Sequence, residues 1–333
     1  MNLKNTIAEN YENVEPRKVM ALHKKKDKRT DDLLFLLKEL LPKQEQWITR
    51  LKYKIEYDIY LRTYTFIKEK KIKLSPEYIT EFAFNLAELK TEKYFESSGE
   101  ALSALINVHY NETRCNEEYK IPVIHFEKEI DSIGVHNSGA NIKIIGNTRM
   151  NIGNKMTAGK IIVDGNCQSL GYSLIGGKIE IQGDVKLFAG TKMQGGIIHI
   201  CGSRNNFIGD TAYGMRGGKI IIDGDGGNNI GTELSNGEIH IKGDIYKNCF
   251  KRMSGGTVII EGKCKNTIAE NMSGGTIYLS HTARVSTSKN GGEIYCKGKR
   301  FTFHTRQEFQ QAKMEERFIV KEREFRKKEN HRN

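Results

Sequence analysis

Histidine and cysteine are the residues of this sequence that could bind a metal ion or act in catalysis. The chain has 333 residues, with nine histidines and six cysteines. No two cysteines form a C-x-x-C pair, and the histidines do not follow the spacing of a zinc site. The sequence therefore predicts no metal site, no cofactor and no catalytic residue, and the interpretation leans away from an enzyme.

Glycine-rich segments such as GGKIEIQGD at residues 176–184 raise a second possibility, a loop that binds phosphate. A dinucleotide-binding loop of this kind lies between a strand and a helix. Here a strand pattern follows each Gly-Gly pair, and no helix-length amphipathic segment comes after it. The glycines are therefore predicted to be corners of a repeating structure.

The repeat becomes visible when the second residue of each Gly-Gly-like pair is aligned, because these positions recur every 17 to 22 residues. A fixed short period predicts a solenoid, in which each coil stacks on the next. The nine aligned positions are Ala140, Gly159, Gly177, Gly196, Gly218, Gly237, Gly256, Gly275 and Gly292.

The columns of the repeat indicate which kind of solenoid it is. Isoleucine or valine occupies most positions two and four residues after the aligned one, which predicts strands with one buried face. Methionine or leucine stands three residues before most aligned positions and is predicted to form a core ladder. Apolar-Gly pairs, Ile208-Gly209 among them, are predicted to form a further corner, where Phe250 and Ala269 later replace the glycine.

The segments GGKIEIQGD, FAGTKMQGGIIHICG and GGKIIIDGDGGNNIG resemble the GXGXG repeat. That repeat forms the C-terminal domain of the glutamate synthase alpha subunit and also one of the subunits of formylmethanofuran dehydrogenase. The resemblance covers residues 137–300. It implies a right-handed β-helix that serves as a packing element between catalytic parts, and it implies no reaction.

The predicted fold class is α+β, with a helical domain before the β-helix of about nine coils. Residues 1–30 read as a flexible basic arm, 31–120 as the helical domain, 121–300 as the β-helix and 301–333 as a charged C-terminal helix or tail. Within the helical domain, apolar spacing predicts helices over 44–72 and 99–110. Another helix is predicted to begin at Ser75-Pro76, because serine caps a helix and proline suits its first turn.

One outward-facing column is unusually apolar for a solvated sheet, which is typical of a contact surface. We expect the helical domain or another subunit to cover it. His199 and His240 stand two coils apart in this column, roughly 9–10 Å, which is too far to share one metal ion. The candidate interaction face consists of Ile162, His199, Ile221, His240, Ile259, Tyr278 and Tyr295.

The net charge of +12 comes with 41 acidic residues, so it is a weak indication of nucleic-acid binding. Tyrosines interleaved with lysines at residues 52–68 suit RNA, although packing between helices explains the same mixture. The candidate polyanion contacts in the basic arm are Lys24, Lys25, Lys26, Lys28 and Arg29.

The favoured function is therefore a scaffold that binds a protein partner or a second copy of itself. One alternative is an RNA- or ribosome-associated factor that uses the basic termini. The other is an accessory subunit of a glutamate synthase-like or formylmethanofuran dehydrogenase-like enzyme. No apolar run has the length of a membrane span and no secretory signal is recognised, so we expect a cytoplasmic protein without membrane contact.

Overall fold

The computed structural model describes residues 32, 55–88, 92–124, 129–202, 209–286 and 288–300. The chain divides into two compact units, Met1–Ile55 and Glu56–Asn333, and nearly all described residues belong to the second. The predicted basic arm at 1–30 lies outside the described residues, and so does the predicted C-terminal helix at 301–333.

The described residues form three helices followed by thirteen strands. The helices are α1 (Ile55–Lys70), α2 (Pro76–Glu88) and α3 (Glu92–Thr113). The strands are β1 (Glu118–Pro122), β2 (Ser138–Ile145), β3 (Ala158–Asp164), β4 (Cys167–Leu170), β5 (Lys178–Ile181), β6 (Val185–Ala189), β7 (Ile197–Ile200), β8 (Arg216–Ile222), β9 (Asn236–Ile241), β10 (Ser254–Ile260), β11 (Gly274–Leu279), β12 (Glu293–Cys296) and β13 (Lys299–Arg300).

One long sheet defines the architecture. Its strand order is β1-β2-β3-β5-β7-β8-β9-β10-β11-β12-β13, and every pair is parallel except the last. Like residues pair across neighbouring coils, as Ile198 does with Ile220. Strands β4 and β6 form a second, smaller sheet. The chain is therefore a β-solenoid of about nine turns, as the repeat predicted.

The methionine column packs against the aligned glycines of the following coil, which explains both columns together. A Cβ atom at Gly177 would lie 2.5 Å from the Cε atom of Met156, a fully buried side chain. Glycine is therefore the residue that lets the methionine fill the core. The pairs with the same 2.5–2.6 Å approach are Met156–Gly177, Met193–Gly218, Met215–Gly237, Met253–Gly275 and Met272–Gly292.

In one coil, the further corner is formed by residues other than the predicted ones. Thr211 pairs with Ala189, and the Ala212 N–H donates to the Ala189 carbonyl at 2.8 Å. Ala212 has a positive φ of 59°, so the prediction of Ile208-Gly209 at this corner is wrong. The three extra residues of the 22-residue interval accordingly lie between Cys201 and Thr211.

The glycine replacements at the same corner do not interrupt the coils. Phe250 and Ala269 take positive φ values of 62° and 61°, close to the 62° of Gly231 one coil earlier. Both side chains are fully buried, so the packing of the core holds them in a backbone region that glycine normally occupies.

The three described helices agree with the sequence patterns, with shifted ends. The Tyr78 N–H donates to the Oγ atom of Ser75 at 3.2 Å, which is the predicted cap of α2. Helix α1 spans Ile55–Lys70, inside the predicted range of 44–72, of which residues 44–54 lie outside the described residues. Helix α3 runs from Glu92 to Thr113 and is longer than the predicted 99–110, because its polar N-terminal turns carry little apolar signal.

Helix α3 lies against the first coil of the solenoid. A Cβ atom at Gly99 would overlap the Asp131 carbonyl oxygen, so helix and coil are in close backbone contact. The Nδ2 group of Asn107 donates to the Val135 carbonyl at 3.1 Å and to the Tyr60 hydroxyl at 2.9 Å. Helices α2 and α3 make their main strand contacts with β1 and β2, so they lie at the N-terminal end of the long sheet.

Candidate functional site on the outer sheet face

The outer face of the long sheet carries the candidate residues. It is defined here by the residues one, three and five positions after each aligned position, which alternate with buried isoleucines. All seven predicted interaction residues lie on it, in the third-position column. Glu180, His199, Ile221 and His240 are direct neighbours on successive strands. Tyr278 follows Ile259, and Tyr295 follows Tyr278.

The first part of this face is charged. The Oε2 atom of Glu180 accepts a hydrogen bond from Lys178 Nζ at 2.8 Å, and Lys160 Nζ lies 3.6 Å from the same oxygen. The hydrogen bond from Lys178 lowers the pKa of Glu180 more than burial raises it, and Lys160 lowers it further. Glu180 is therefore a carboxylate at neutral pH and stands directly beside His199.

A cluster of His199, Cys201 and Asp223 follows, and we call it the His-Cys-Asp cluster. The Nε2 atom of His199 lies 2.8 Å from Oδ2 of Asp223, and the Sγ atom of Cys201 lies 3.9 Å from both ring nitrogens. One ligand atom from each residue lies within 4.8 Å of the other two, and all three residues are half-buried. Within the described part of the chain, it is the one group of this kind.

The charges around the cluster come from the neighbouring coils. Lys242 Nζ lies 2.7 Å from Oδ1 of Asp223. Burial opposes ionisation of Asp223, but the hydrogen bonds from Lys242 and His199 outweigh it and hold its pKa below the ordinary value. Burial raises the pKa of Cys201, and the carboxylates of Glu180 and Asp223 raise it further. Cys201 is therefore a thiol at neutral pH, which argues against a role as an activated nucleophile.

The other predicted histidine has a simpler environment. His240 Nε2 lies 2.7 Å from Oε1 of Glu261 on the next coil. Ile221 separates it from His199 in the column, as the sequence predicted, so the structure does not bring the two imidazoles together.

In the last part of the outer face, the third-position column is apolar. The rings of Tyr278 and Tyr295 stack with centroids 5.4 Å apart and planes at 18°. Tyr278 is 45% exposed, although it is a large aromatic residue. The two rings and Ile259 line an open groove of about 290 Å³ that Lys297 and Gly298 border at the last coil.

Sequence reasoning missed Cys201 and Asp223. A signal for Cys201 was present, because His199 and Cys201 are two residues apart on one strand and must share a face. Asp223 occupies the same fifth position one coil later, so the aligned repeat places it beside Cys201. The candidate polyanion contacts Lys24, Lys25, Lys26, Lys28 and Arg29 lie outside the described residues.

Comparison with known protein families gives a match over the solenoid. The family model described as GXGXG motif matches residues 164–315, so the chain contains a GXGXG-repeat domain, as the residues indicated. The match does not confirm a specific similarity to glutamate synthase. No curated protein and no solved structure matches this chain. None of the helices in the described parts of the chain is both long enough and apolar enough to cross a membrane.

Proposed function

We propose that the protein is a non-catalytic scaffold that associates with a second copy of itself through the apolar end of the outer face. The observation that carries the proposal is the stacked pair of Tyr278 and Tyr295 beside Ile259, which leaves aromatic surface open to solvent. Exposed apolar surface bordered by polar residues is typical of a protein contact. Tyrosine is also enriched where interfaces concentrate their binding energy.

Two features favour a second copy over a partner of opposite charge. A closed dimer needs a patch that is complementary to itself, and a ladder of stacked tyrosines can pack against the same ladder turned by a two-fold axis. The charged groups beside the ladder have both signs. Glu293 accepts a hydrogen bond from the Tyr295 hydroxyl at 2.8 Å and lies 3.3 Å from Arg300, and Lys297 borders the groove. A surface of mixed sign suits its own copy better than a strongly acidic or basic partner.

The experiment measures molar mass by sedimentation velocity over about 1–100 μM protein. We expect a dimer whose fraction rises with concentration, and we expect Tyr278→Arg to shift the protein to monomer because a charge would be buried in the contact. Tyr172→Arg is the matched control, since Tyr172 is 38% exposed and lies on a different part of the coil. A wild-type protein that stays monomeric throughout, or equal dissociation by Tyr172→Arg, would overturn the proposal.

Helix α1 gives little support to the RNA alternative. Tyr60 is buried, and its hydroxyl accepts a hydrogen bond from Asn107. The Nζ atom of Lys68 lies 5.7 Å from the centre of the Tyr64 ring. These side chains are engaged within the protein, which is the packing explanation of the Tyr/Lys mixture. RNA binding through the basic arm stays a prediction, and a steep loss of RNA affinity with added salt would support it. The accessory-subunit alternative rests on the resemblance alone.

A further inference from the structure

The geometry points to a binding site for a zinc-class divalent ion at the His-Cys-Asp cluster, with His199 Nε2, Cys201 Sγ and Asp223 Oδ2 as ligands. An imidazole nitrogen, a thiolate and a carboxylate oxygen are all ligands that Zn²⁺ accepts in proteins. The inference is independent of self-association, because the cluster lies at β7 and β8 whereas the tyrosine ladder lies at β10 to β12.

The solenoid holds the three side chains in place. His199 and Cys201 are held two residues apart on one face at the end of β7, which fixes them relative to each other. The pairing of Ile200 with Ile222 brings Asp223 beside Cys201 from the next coil. Two ligands therefore come from one strand and the third from its neighbour, on a rigid sheet.

The distances need only small rotations to suit a tetrahedral ion. With Zn–N and Zn–O near 2.1 Å and Zn–S near 2.3 Å, tetrahedral angles set N···O at about 3.4 Å and N···S at about 3.6 Å. The corresponding distances in the structure are 2.8 Å and 3.9 Å. To bind the ion, Nε2 of His199 must move away from Asp223 Oδ2 by about 0.6 Å and approach Cys201 Sγ by about 0.3 Å.

Carboxylates and lysines both surround the cluster, with Glu180 and Asp223 on the negative side and Lys178 and Lys242 on the positive side. The 2+ charge of the ion is balanced by the Asp223 carboxylate and by the Cys201 thiolate, which forms when the metal displaces the thiol proton to solvent. Lys242 holds Oδ1 of Asp223 and leaves Oδ2 directed toward His199, as an outer partner of a ligand does. Glu180 adds a carboxylate beside His199. Three protein ligands on a half-buried face leave the fourth position open to water or to a small ligand.

A neighbouring pair shows what the cluster adds to a simple contact between a histidine and a carboxylate. His240 and Glu261 make the same kind of contact at 2.7 Å in the same columns. Lys242 stands at the fifth position of the His240 strand, where the His199 strand has Cys201. If the His199–Asp223 contact were only of this simple kind, neither site would hold a metal ion. Replacing either histidine would then have the same effect on metal binding, namely none.

The test is titration of the full-length, metal-free protein with Co²⁺, followed by displacement with Zn²⁺. We expect one Co²⁺ per chain, with visible bands of a four-coordinate ion and a near-ultraviolet sulfur-to-cobalt charge-transfer band. Cys201→Ser is expected to abolish the charge-transfer band. His199→Gln and Asp223→Asn are each expected to weaken binding by more than the about 10–100-fold that follows loss of an outer partner.

Matched controls are His240→Gln, from the same column, and Cys264→Ser, from another coil, and both are expected to bind Co²⁺ as the wild type does. A measurement that needs no variant is alkylation of the native protein with iodoacetamide, followed by mass spectrometry. Zn²⁺ is expected to slow alkylation of Cys201 at least tenfold and to leave Cys115 unchanged. The inference is overturned by a cobalt spectrum without the charge-transfer band, by a band that persists in Cys201→Ser, or by alkylation of Cys201 that Zn²⁺ does not slow.

Discussion

The Cε atom of Met193 lies only 2.5 Å from the point that a Cβ atom at Gly218 would occupy. Gly218 also has a φ of +87° and a carbonyl oxygen, that of Gly196, only 2.7 Å from the same point. A side chain at position 218 would therefore clash with the Gly196 carbonyl oxygen and with the buried side chain of Met193. The close stacking of successive coils thus depends on the absence of a single atom in each of them.

We expect Gly218→Ala to lower the free energy of unfolding by about 2–5 kcal/mol. The strained backbone contributes about 1–2 kcal/mol and overpacking a further 1–3 kcal/mol. Gly214→Ala is the control, because Gly214 has a φ of +60° and its nearest contact would be 3.8 Å away. Chemical denaturation of both variants measures the difference, and equal losses would show that the packing against Met193 contributes nothing.

Phe250 allows the strain and the packing at one corner to be separated. Phe250→Ala keeps the unfavourable φ of 62° and removes the buried ring, so we expect a loss of about 3–5 kcal/mol of unfolding free energy. Phe250→Gly removes the ring and also the strain. At an ordinary buried site glycine is worse than alanine by about 0.5–1 kcal/mol. Here we expect the glycine variant to be the more stable of the two, and the opposite order in denaturation would contradict the argument.

Most of the solenoid could be predicted from the sequence because its main contacts recur in most coils. The inward isoleucines, the methionine ladder and the aligned glycines recur at the same spacing, so each coil supports the interpretation of the others. The corner at Ala212 could not be predicted in this way. An insertion of three residues and an alanine in place of glycine removed both the spacing and the residue type on which the prediction depended.

The candidate site was harder to predict because it breaks the repeat. The sequence identifies His199 as an outward residue, but both of its partners stand in the neighbouring column, and Asp223 also belongs to a different coil. A search for metal ligands that is limited to spacing along the chain cannot find Asp223, which is 24 residues from His199. The register of the parallel strands supplies that contact, and it becomes usable once the columns have been aligned.

Ser103 is predicted to be important for the junction between α3 and the first coil. Its Oγ atom lies 2.9 Å from the Ser132 carbonyl and accepts the Gly134 N–H at 2.8 Å, in a buried environment. Ser103→Ala would leave these backbone groups without a partner, at a cost of about 1–3 kcal/mol. Thr80→Val is the control, since the Thr80 hydroxyl donates a hydrogen bond to the backbone carbonyl of Lys120 at an exposed site. Thermal or chemical unfolding should show a clearly smaller loss for Thr80→Val, and an equal loss would refute the role of Ser103.

The same junction is predicted to weaken at mildly acidic pH. Burial lowers the pKa of His109, although the carboxylates of Glu112, Glu117 and Glu77 act in the opposite direction. Its Nδ1 atom lies 2.7 Å from the hydroxyl of buried Tyr119, which the neutral ring can accept as a hydrogen bond.

Because the folded protein holds His109 neutral, the unfolded chain binds a proton first as the pH falls below about 6.5. The stabilisation is complete above that pH and is lost progressively as the pH falls toward the lower pKa of the folded state. His109→Asn keeps an acceptor for the Tyr119 hydroxyl and does not titrate. We therefore expect the free energy of unfolding to fall less between pH 7.5 and pH 5.5 in His109→Asn than in the wild type. Urea denaturation at the two pH values measures this, and an unchanged pH dependence would show that His109 does not control the junction.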